Sequence, residues 1–457
     1  MRVSVCIPTR NQAGYLEAAV RSALAQDVAG MEVLVHDDAS DDDTARVLAG
    51  IRDPRLRVFH HPQPLGIAGN RNSLAEAAAG AAIAWLDSDD VYLPGTLAPR
   101  LAVLERRPGV ALVHGGFDVI DAGGRVLRPW RALHDHDQVE PGADAFRDLA
   151  AANTVTTSTA VVRCSALRAA GGFATSIGPS SSDWDMWLRL ALRGDVAYLA
   201  RPLAGYRQHP RSVSTRTLRS GERLQCDLRA VEHVLHADAA LITDRAGARR
   251  SARAALAARA LLQAGDHHTA GRRRRALRTA AFAGRAAPGA VATGLPTLLL
   301  AIATGDDYRT YRHTRRMLAR LAGRVASPRY ASVLEQAATS DPDYEAMTAR
   351  AAAKLRRLTP AGAVVASVTK WDPTMLWLSC RTGVQFPDRR RMPDGYPARD
   401  EQAIAHLGEL QGEGATHIAF TAATRWWLDS YPGFAEHLRD RHRLLLDDHD
   451  CVVYALA

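Results

Sequence analysis

The sequence predicts an α/β protein: a mostly parallel sheet with flanking helices, followed by a helical segment and a small C-terminal α/β domain. Three observations carry this. Over the first hundred residues, short apolar runs alternate with stretches of helical periodicity; from about Thr215 to Arg356 the text is Ala, Arg and Leu at helical spacing; the last hundred residues return to strand-like runs. A chain of 457 residues is too long for one ordinary core. Its expected divisions are residues 1–215, 216–356 and 357–457.

Taken in order, Val3–Ile7 is a short apolar run, Ala13–Gln26 is helical, Glu32–His36 is a second run and Thr44–Ile51 is helical again. Arg55–His61 alternates, Asn70–Ala79 is helical, and "AAIAWL" (Ala81–Leu86) reads as a buried strand. Strands alternating with helices imply parallel pairing with both faces of the sheet covered. Gly95–Arg106 is the next helix and Val110–Ile120 the next strand, closed by a turn at Asp121–Gly124. A further helix is expected over Ser181–Gly194, with Ser182 able to cap it and Trp184, Trp187, Leu188 and Leu190 as its apolar side. At the C-terminal end, "GAVVASVT" and "THIAFTA" read as buried strands, Glu401–Gly412 as the helix between them, and "HRLLLDDHDCVVYALA" as a closing hairpin.

The apolar fraction of 47% and charged fraction of 23% are those of a folded globular chain. The net charge of +9 comes mostly from Arg in an Ala-rich background, and no recognisable nucleic-acid motif accompanies it. No nucleic-acid partner is expected; a phosphate-bearing substrate or an anionic membrane surface suits the charge equally well. Cys6, Cys164, Cys226, Cys380 and Cys451 are scattered without a C-x-x-C pair, so neither a zinc site nor a disulfide framework is suggested. The opening "MRVSVCIPTR" runs straight into a strand pattern with no signal peptide, and the expected setting is the cytoplasm. Ala286–Gly305 is uncharged but carries Pro288 and Pro296, and only "LPTLLLAIA" is densely apolar. It reads as a buried or interfacial helix rather than a membrane span.

Three polar clusters fall at expected strand ends: "PTRN" (Pro8–Asn11), "DDASDDDT" (Asp37–Thr44) and "DSDD" (Asp87–Asp90). In open sheets of this kind ligands sit beyond the carboxyl ends of the strands, so the three should converge on one cleft. Asp87, Asp89 and Asp90 crowd behind a buried strand, where mutual repulsion raises the cost of ionising all three. A bound cation is the simplest reason to place them there. No G-x-x-x-x-G-K-[ST] loop occurs, and "GIAGN" (Gly66–Asn70) lacks the G-x-G-x-x-G spacing, which removes the main support for P-loop and dinucleotide readings.

Five segments in order, "VSVCIPTRNQAGYL", "VLVHDDASDDDT", "LGIAGNRNSL", "AIAWLDSDDVYLP" and "SSDWDMWLRL", together resemble the family-two glycosyltransferases, whose catalytic domain is the GT-A nucleotide-sugar fold. The resemblance covers roughly residues 1–215. It implies that Asp89 holds Mg²⁺ or Mn²⁺, hard cations that take oxygen ligands and leave positions open for a diphosphate. Asp87 would be directed to the ribose or to a metal-bound water. Asp38 matches the carboxylate that accepts from the uracil N–H, while Asp37 either adds a contact or caps the turn. Asp41, Asp42 and Asp43 suit a helix N-terminus enriched in acids. Pro8, Thr9 and Arg10 match the loop beside the base, although many relatives carry an aromatic residue where Arg10 stands. Arg71 and Asn72 match a donor-contacting segment, or else are polar residues opening a helix. Asp183 matches the catalytic base, with Ser182 standing where many relatives have Glu; Asp185, two residues on, points to another face. "YRQHPRSVS" (Tyr206–Ser214) resembles the closing segment of non-processive relatives and makes His209 either a ligand or polar surface.

The processive members carry Q-x-x-R-W; "ATRWW" (Ala423–Trp427) has the RW without the Gln. The expected activity is therefore inverting, metal-dependent transfer of a single sugar from a nucleoside-diphosphate sugar, most simply a UDP-sugar. The acceptor would be a glycan, a lipid-linked precursor or a small molecule. The rivals are a catalytically silent nucleotide-sugar-binding scaffold and a nucleotidylyltransferase, which would want a Gly-rich basic loop where "PTRNQAG" stands. Trp371, Trp377, Trp426 and Trp427 either fill a small C-terminal core or line a groove for a partner, an acceptor or a second copy of the chain. The Arg-rich segment before them suits peripheral contact with an anionic membrane.

Overall fold

The computed structural model describes residues 1–128, 136–209, 211–269, 272–292, 295–304, 317–318, 320–321, 324–325, 327, 342–368, 379, 381–387, 397 and 399–456. The chain forms two compact units. One comprises Met1–His267, Arg274–Leu295 and Met317–Glu335; the other comprises His268–Arg273, Pro296–Arg316 and Gln336–Ala457.

The first unit opens with β1 (Val3–Thr9), α1 (Ala13–Leu24), β2 (Met31–Asp37), α2 (Thr44–Ala49), β3 (Leu56–His60), α3 (Gly66–Ala77) and β4 (Ala82–Trp85). It continues through β5 (Val91–Tyr92), α4 (Leu97–Arg106), β6 (Val110–Ile120), β7 (Val126–Arg128), β8 (Gln138–Glu140), α5 (Gly142–Ala151), β9 (Val161–Arg163) and α6 (Cys164–Ala169). Then come α7 (Ser182–Ala191), β10 (Asp195–Arg207), α8 (Val213–Ser220), α9 (Arg223–Ala237), α10 (Arg245–Thr269) and α11 (Arg273–Ala286). The sheet order is β3-β2-β1-β4-β9-β6-β10-β5, with β7 on β6 and β8 on β10. Strands β1, β2, β3, β4, β6 and β10 share one direction, and the short β5, β7, β8 and β9 run against them. The mostly parallel α/β sheet read from the sequence is what the chain forms.

Both faces of the central strands are covered, which is why they read as unbroken apolar runs. Val3, Val5 and Ile7 of β1 pack in one cluster with Val33 and Val35 of β2, Ala82 and Ala84 of β4, and Leu16, Val20 and Ala23 of α1. The register sets Thr9 opposite Asp37, and Asp37 opposite His60, so three strands end level. That shared edge is where the polar clusters begin.

Three local expectations shift. Helix α3 begins at Gly66, four residues ahead of Asn70, because the Asp38 carboxylate accepts from the backbone N–H of Leu65 (2.6 Å) and Gly66 (3.0 Å). Ser182 is the first residue of α7 rather than its cap; Ser181 takes the cap position in a left-handed conformation, φ +69°. The 13-residue β10 went unread because Pro202 and Gly205 interrupt its pattern, and its pairing with β6 shifts register on either side of Pro202.

Beyond α11 lie α12 (Pro288–Val291), α13 (Leu295–Thr304) and α14 (Pro342–Leu358). No helix among the described residues is long and apolar enough to cross a membrane. The second unit carries β11 (Val364–Val368), β12 (Thr382–Phe386), α15 (Asp400–Gly412), β13 (His417–Thr421), α16 (Trp426–Ser430), α17 (Pro432–Arg441), β14 (Arg443–Asp447) and β15 (Cys451–Ala455). Its sheet order is β12-β11-β13-β15-β14, closed by the expected antiparallel hairpin. Trp427 is buried in its core with Phe386, Phe420 and Phe434, whereas Trp426 is exposed. Trp371 and Trp377 lie outside the described residues.

Candidate active site

The loops after β1 and β2 form one structure. Asp38 N–H donates to the Thr9 carbonyl (2.9 Å), Asn11 N–H to Ser40 Oγ (2.9 Å), Asp41 N–H to Asn11 Oδ1 (2.9 Å) and Ala13 N–H to Asp42 Oδ2 (3.0 Å). Asn11 and Ala39 supply the turns with left-handed backbones, φ +54° and +56°. Asp37 Oδ1 accepts from the N–H and hydroxyl of Ser40, while its other oxygen lies 3.2 Å from His60 Nδ1. Both oxygens of Asp38 are engaged by the backbone ahead of α3. Pro8 is half-buried, Thr9 buried and Arg10 exposed.

The loop after β4 gathers residues from four other segments. Arg71 of α3 donates to Asp87 Oδ1 (2.8 Å) and reaches Thr157 Oγ1 (3.5 Å), and that hydroxyl lies 3.4 Å from Asp183 Oδ2 in the first turn of α7. Asp87 thus stands in the same small network as Asp183. Desolvation by burial raises its carboxyl above the usual range; Arg71 opposes this, and Asp89 and Asp183 add like-charge repulsion.

Asp90 faces the interior. It is buried, accepting from Ser158 Oγ (2.6 Å) and from the Arg207 N–H (2.8 Å), and burial, followed by Asp89 and Asp87, pushes its carboxyl well up. Its geometry locks the loop to β10. Arg207 completes the lock, donating from Nε to the Asp89 carbonyl (2.7 Å) and lying 5.1 Å over the Tyr15 ring.

His209 is buried just past β10, its Nε2 3.0 Å from Asp89 Oδ2 and its ring 4.7 Å from that of Tyr15. An octahedral Mg²⁺ with ligands at about 2.1 Å sets adjacent donor atoms about 3 Å apart, which this pair matches. Among the described residues, no third His, Cys or carboxylate closes a set within 4.8 Å around the pair, so the remaining positions would fall to diphosphate oxygens and water. The residues therefore fit a divalent cation held jointly with its substrate. The one three-residue grouping among the described residues, Asp448, His449 and Asp450 in the second unit, has its carboxylates taken by Arg350 and Lys354.

Asn72 is directed elsewhere: its amide pairs both ways with the Phe173 backbone, donating at 2.9 Å and accepting at 2.7 Å. Its neighbour Asn70 is the buried one, donating to the His36 carbonyl (3.1 Å). Thr9 Oγ1, His36 Nε2, Asn70 Oδ1 and Arg71 Nε are all buried without a hydrogen-bond partner among the described residues. Such orphans are rare in a finished core and suit a pocket whose remaining partners belong to a ligand. His36 is further held down to about 4 by burial and by His61, 3.1 Å away. Sequence reading missed Asn70, Arg207 and Tyr15. Only the positions of Asn70 in "GNRN" and Arg207 in "YRQH" offered a signal.

A model of the family described as "Glycosyl transferase family 2" matches residues 4–168. An uncharacterized protein of Mycobacterium tuberculosis is 32% identical over 231 residues, 47% of this chain and 70% of that protein. The Escherichia coli UDP-Glc:alpha-D-GlcNAc-diphosphoundecaprenol beta-1,3-glucosyltransferase WfgD is 30% identical over 136 residues, 29% of this chain and 53% of its own. The succinoglycan biosynthesis protein ExoO of Rhizobium meliloti is 37% identical over 126 residues, 28% and 36% of the two chains. The chain thus spans about half and about a third of those two relatives. Among solved structures, residues 1–349 of S. aureus TarS in complex with UDP-GlcNAc align with a TM-score of 0.48 at 18% identity, covering 71% of this chain and 92% of that one.

Proposed function

The chain belongs to glycosyl transferase family 2 and is a glycosyltransferase, and we propose that it is an inverting enzyme that moves a single sugar from a UDP-sugar, with Mg²⁺ or Mn²⁺, onto a hydroxyl of a surface-glycan, lipid-linked or small-molecule acceptor. The observation that carries this is the convergence of Arg71, Asp87, Asp89, Thr157, Asp183 and His209 from separate segments onto one sheet edge. The similarity to WfgD, a diphosphoundecaprenol glucosyltransferase, and to ExoO, a succinoglycan biosynthesis protein, supports the lipid-linked and surface-glycan acceptors.

In this reading Asp89 and His209 hold the cation, which when bound supplies charge neutralisation for the departing diphosphate. Asp38 and the unpartnered Thr9, Asn70 and Arg71 atoms surround the nucleoside, with Pro8 and Arg10 at the rim and Asp87 toward the ribose. Asn72 acts through Phe173, fixing the segment ahead of α7. Asp183 takes the proton from the acceptor hydroxyl as that oxygen attacks the anomeric carbon from the face opposite the diphosphate. General-base assistance of this kind contributes ~10²–10⁴ in rate. No covalent enzyme intermediate is needed.

The setting we infer is the cytoplasm, where thiols such as the buried, unpaired Cys6, Cys164, Cys226 and Cys451 persist reduced. Arg274, Arg278 and Arg285 lie along one exposed side of α11 with no carboxylate partner among the described residues, which supports contact with an anionic membrane surface. Release of UDP from a panel of UDP-sugars with Mn²⁺ tests the activity. No release from UDP-glucose, UDP-galactose or UDP-N-acetylglucosamine would reject the donor assignment.

A further inference from the structure

Both α7, the helix carrying Asp183, and α9 lie beyond residues 4–168, and the two are bonded to each other at successive levels. Ser181 Oγ donates to Asp227 Oδ1 (2.6 Å), His233 Nδ1 lies 2.6 Å from Asp185 Oδ1, and Arg193 donates to Asp238 just past the end of α9. The contacts ascend in the same order along both elements, so α9 runs alongside α7.

The first of these contacts bears on the chemistry. Ser181 occupies the cap position of α7 with φ +69°, a conformation that costs a non-glycine residue energy unless its surroundings hold it. Its hydroxyl makes no bond to the first turn of the helix; it is engaged by Asp227 instead. Asp227 is 2% exposed and its charge is balanced by Arg259 Nη1 (3.3 Å) and Arg223 Nε (3.4 Å). Arg259 in turn lies 4.8 Å over the ring of Trp184, the residue after Asp183. The turn that aims Asp183 is therefore held from α9. Ser182, the residue just before Asp183, is buried and brings no acid of its own.

Arg223 is the second link. Its side chain is about one-third exposed, and among the described residues its Nη groups have no hydrogen-bond partner. Burial opposes its charge, but Asp227, Asp183 and Tyr206 together hold it above the usual arginine range. The other charged groups around Asp183 are Asp87 on the β4 loop and Arg71 from α3, which bonds Asp87 and Thr157. Asp185 turns away, into Arg189 and His233.

We propose that α9 completes the acceptor side of the site: Asp227, held between Arg259 and Arg223, positions the base-bearing turn through Ser181. This rests on Asp183 being the base. Asp227 and Arg223 are positioning residues; neither receives the proton.

The test uses the full chain with Mn²⁺, water as acceptor and UDP-glucose, UDP-galactose or UDP-N-acetylglucosamine as donor, reading UDP release from pH 5 to 9, with calorimetric UDP binding for every variant. Arg223→Gln, which leaves Asp227 with Arg259 as its cation partner, should lower kcat about threefold with donor KM and UDP affinity unchanged, and Arg223→Lys should restore it. Ser181→Gly keeps the left-handed turn but loses the hydroxyl; kcat should fall about tenfold with donor KM and UDP affinity unchanged. If Arg223→Gln and Ser181→Gly match the wild type while Asp183→Asn loses activity, α9 plays no such part and the base stands. A variant that loses UDP affinity together with kcat assigns α9 a general structural role and overturns the proposal. Full activity in Asp183→Asn, or no UDP release by the wild type, removes the reading beneath it.

Discussion

Asp89 Oδ2 and His209 Nε2 stand 3.0 Å apart although 120 residues separate them in sequence. One comes from the loop after β4 and the other from beyond β10, and the bonds of Asp90 to Ser158 and to the Arg207 N–H bring the two segments together. In the proposed function a buried imidazole and a part-exposed carboxylate at this spacing would offer two adjacent positions to a hard cation.

Asp89→Ala should abolish metal-dependent donor turnover and leave the melting temperature near that of the wild type, since the side chain is a cleft group rather than core. His209→Ala should weaken Mn²⁺ binding by roughly tenfold or more. Calorimetric Mn²⁺ titration in the presence of UDP reads both directly. Wild-type affinity in both variants would reject the pair as ligands.

Asp183→Asn and Asp185→Asn should separate by kind of damage. The first keeps volume and loses basicity, so donor binding survives while transfer falls ~10²-fold or more. The second removes the charge between Arg189 Nε (2.9 Å) and His233 Nδ1 (2.6 Å) in a site with no exposure, and should cost about 3 kcal/mol of stability. Thermal melts beside UDP-release assays distinguish them. A stable Asp185→Asn protein with lost turnover would exchange the two roles.

His36 makes the first unit sensitive to mild acid. Its folded-state value of about 4 lies below the unfolded value of about 6.5, so between these the unfolded chain binds the extra proton. Stability is therefore full above pH 6.5, falls as pH drops toward 4 and levels below that, by at most ~3 kcal/mol. Urea melts at pH 7.5 and pH 5 should show the loss, and His36→Gln should flatten it. An equal loss in the variant would assign the pH dependence to other groups.

Arg274, Arg278 and Arg285 should hold the protein on vesicles containing phosphatidylglycerol and not on pure phosphatidylcholine, with binding lost at high salt. Each arginine near such a surface contributes about 1 kcal/mol, so the triple Glu variant should no longer float with the vesicles. Wild-type flotation by that variant would show that this side of α11 does not face the lipid.

The succession of strands and helices along the first hundred residues and the acidic cluster at the end of β4 were legible because they depend on short-range pattern, whereas Asp183 was singled out only by the family resemblance. A strand buried on both faces is an unbroken apolar run, and a polar cluster right after it marks the sheet edge where ligands bind. Those signals sit within about ten residues of what they specify.

What was not legible depends on partners far along the chain. Asp38 starts α3 by capping a backbone 27 and 28 residues away, so the helix begins ahead of its own periodicity. Asp90 looks like its neighbours in "DSDD", yet Ser158 and Arg207, 68 and 117 residues distant, make it a buried lock rather than an open ligand. Helical spacing already turned Asp185 away from Asp183, but not toward any particular partner. Arg189 and a histidine 48 residues on take Asp185 into the interior and leave Asp183 to the cleft. Hydrophobic period is a local property and survives in one dimension. The charge state and free valence of a carboxylate are set by whichever groups surround it in space, and only the folded chain brings those together.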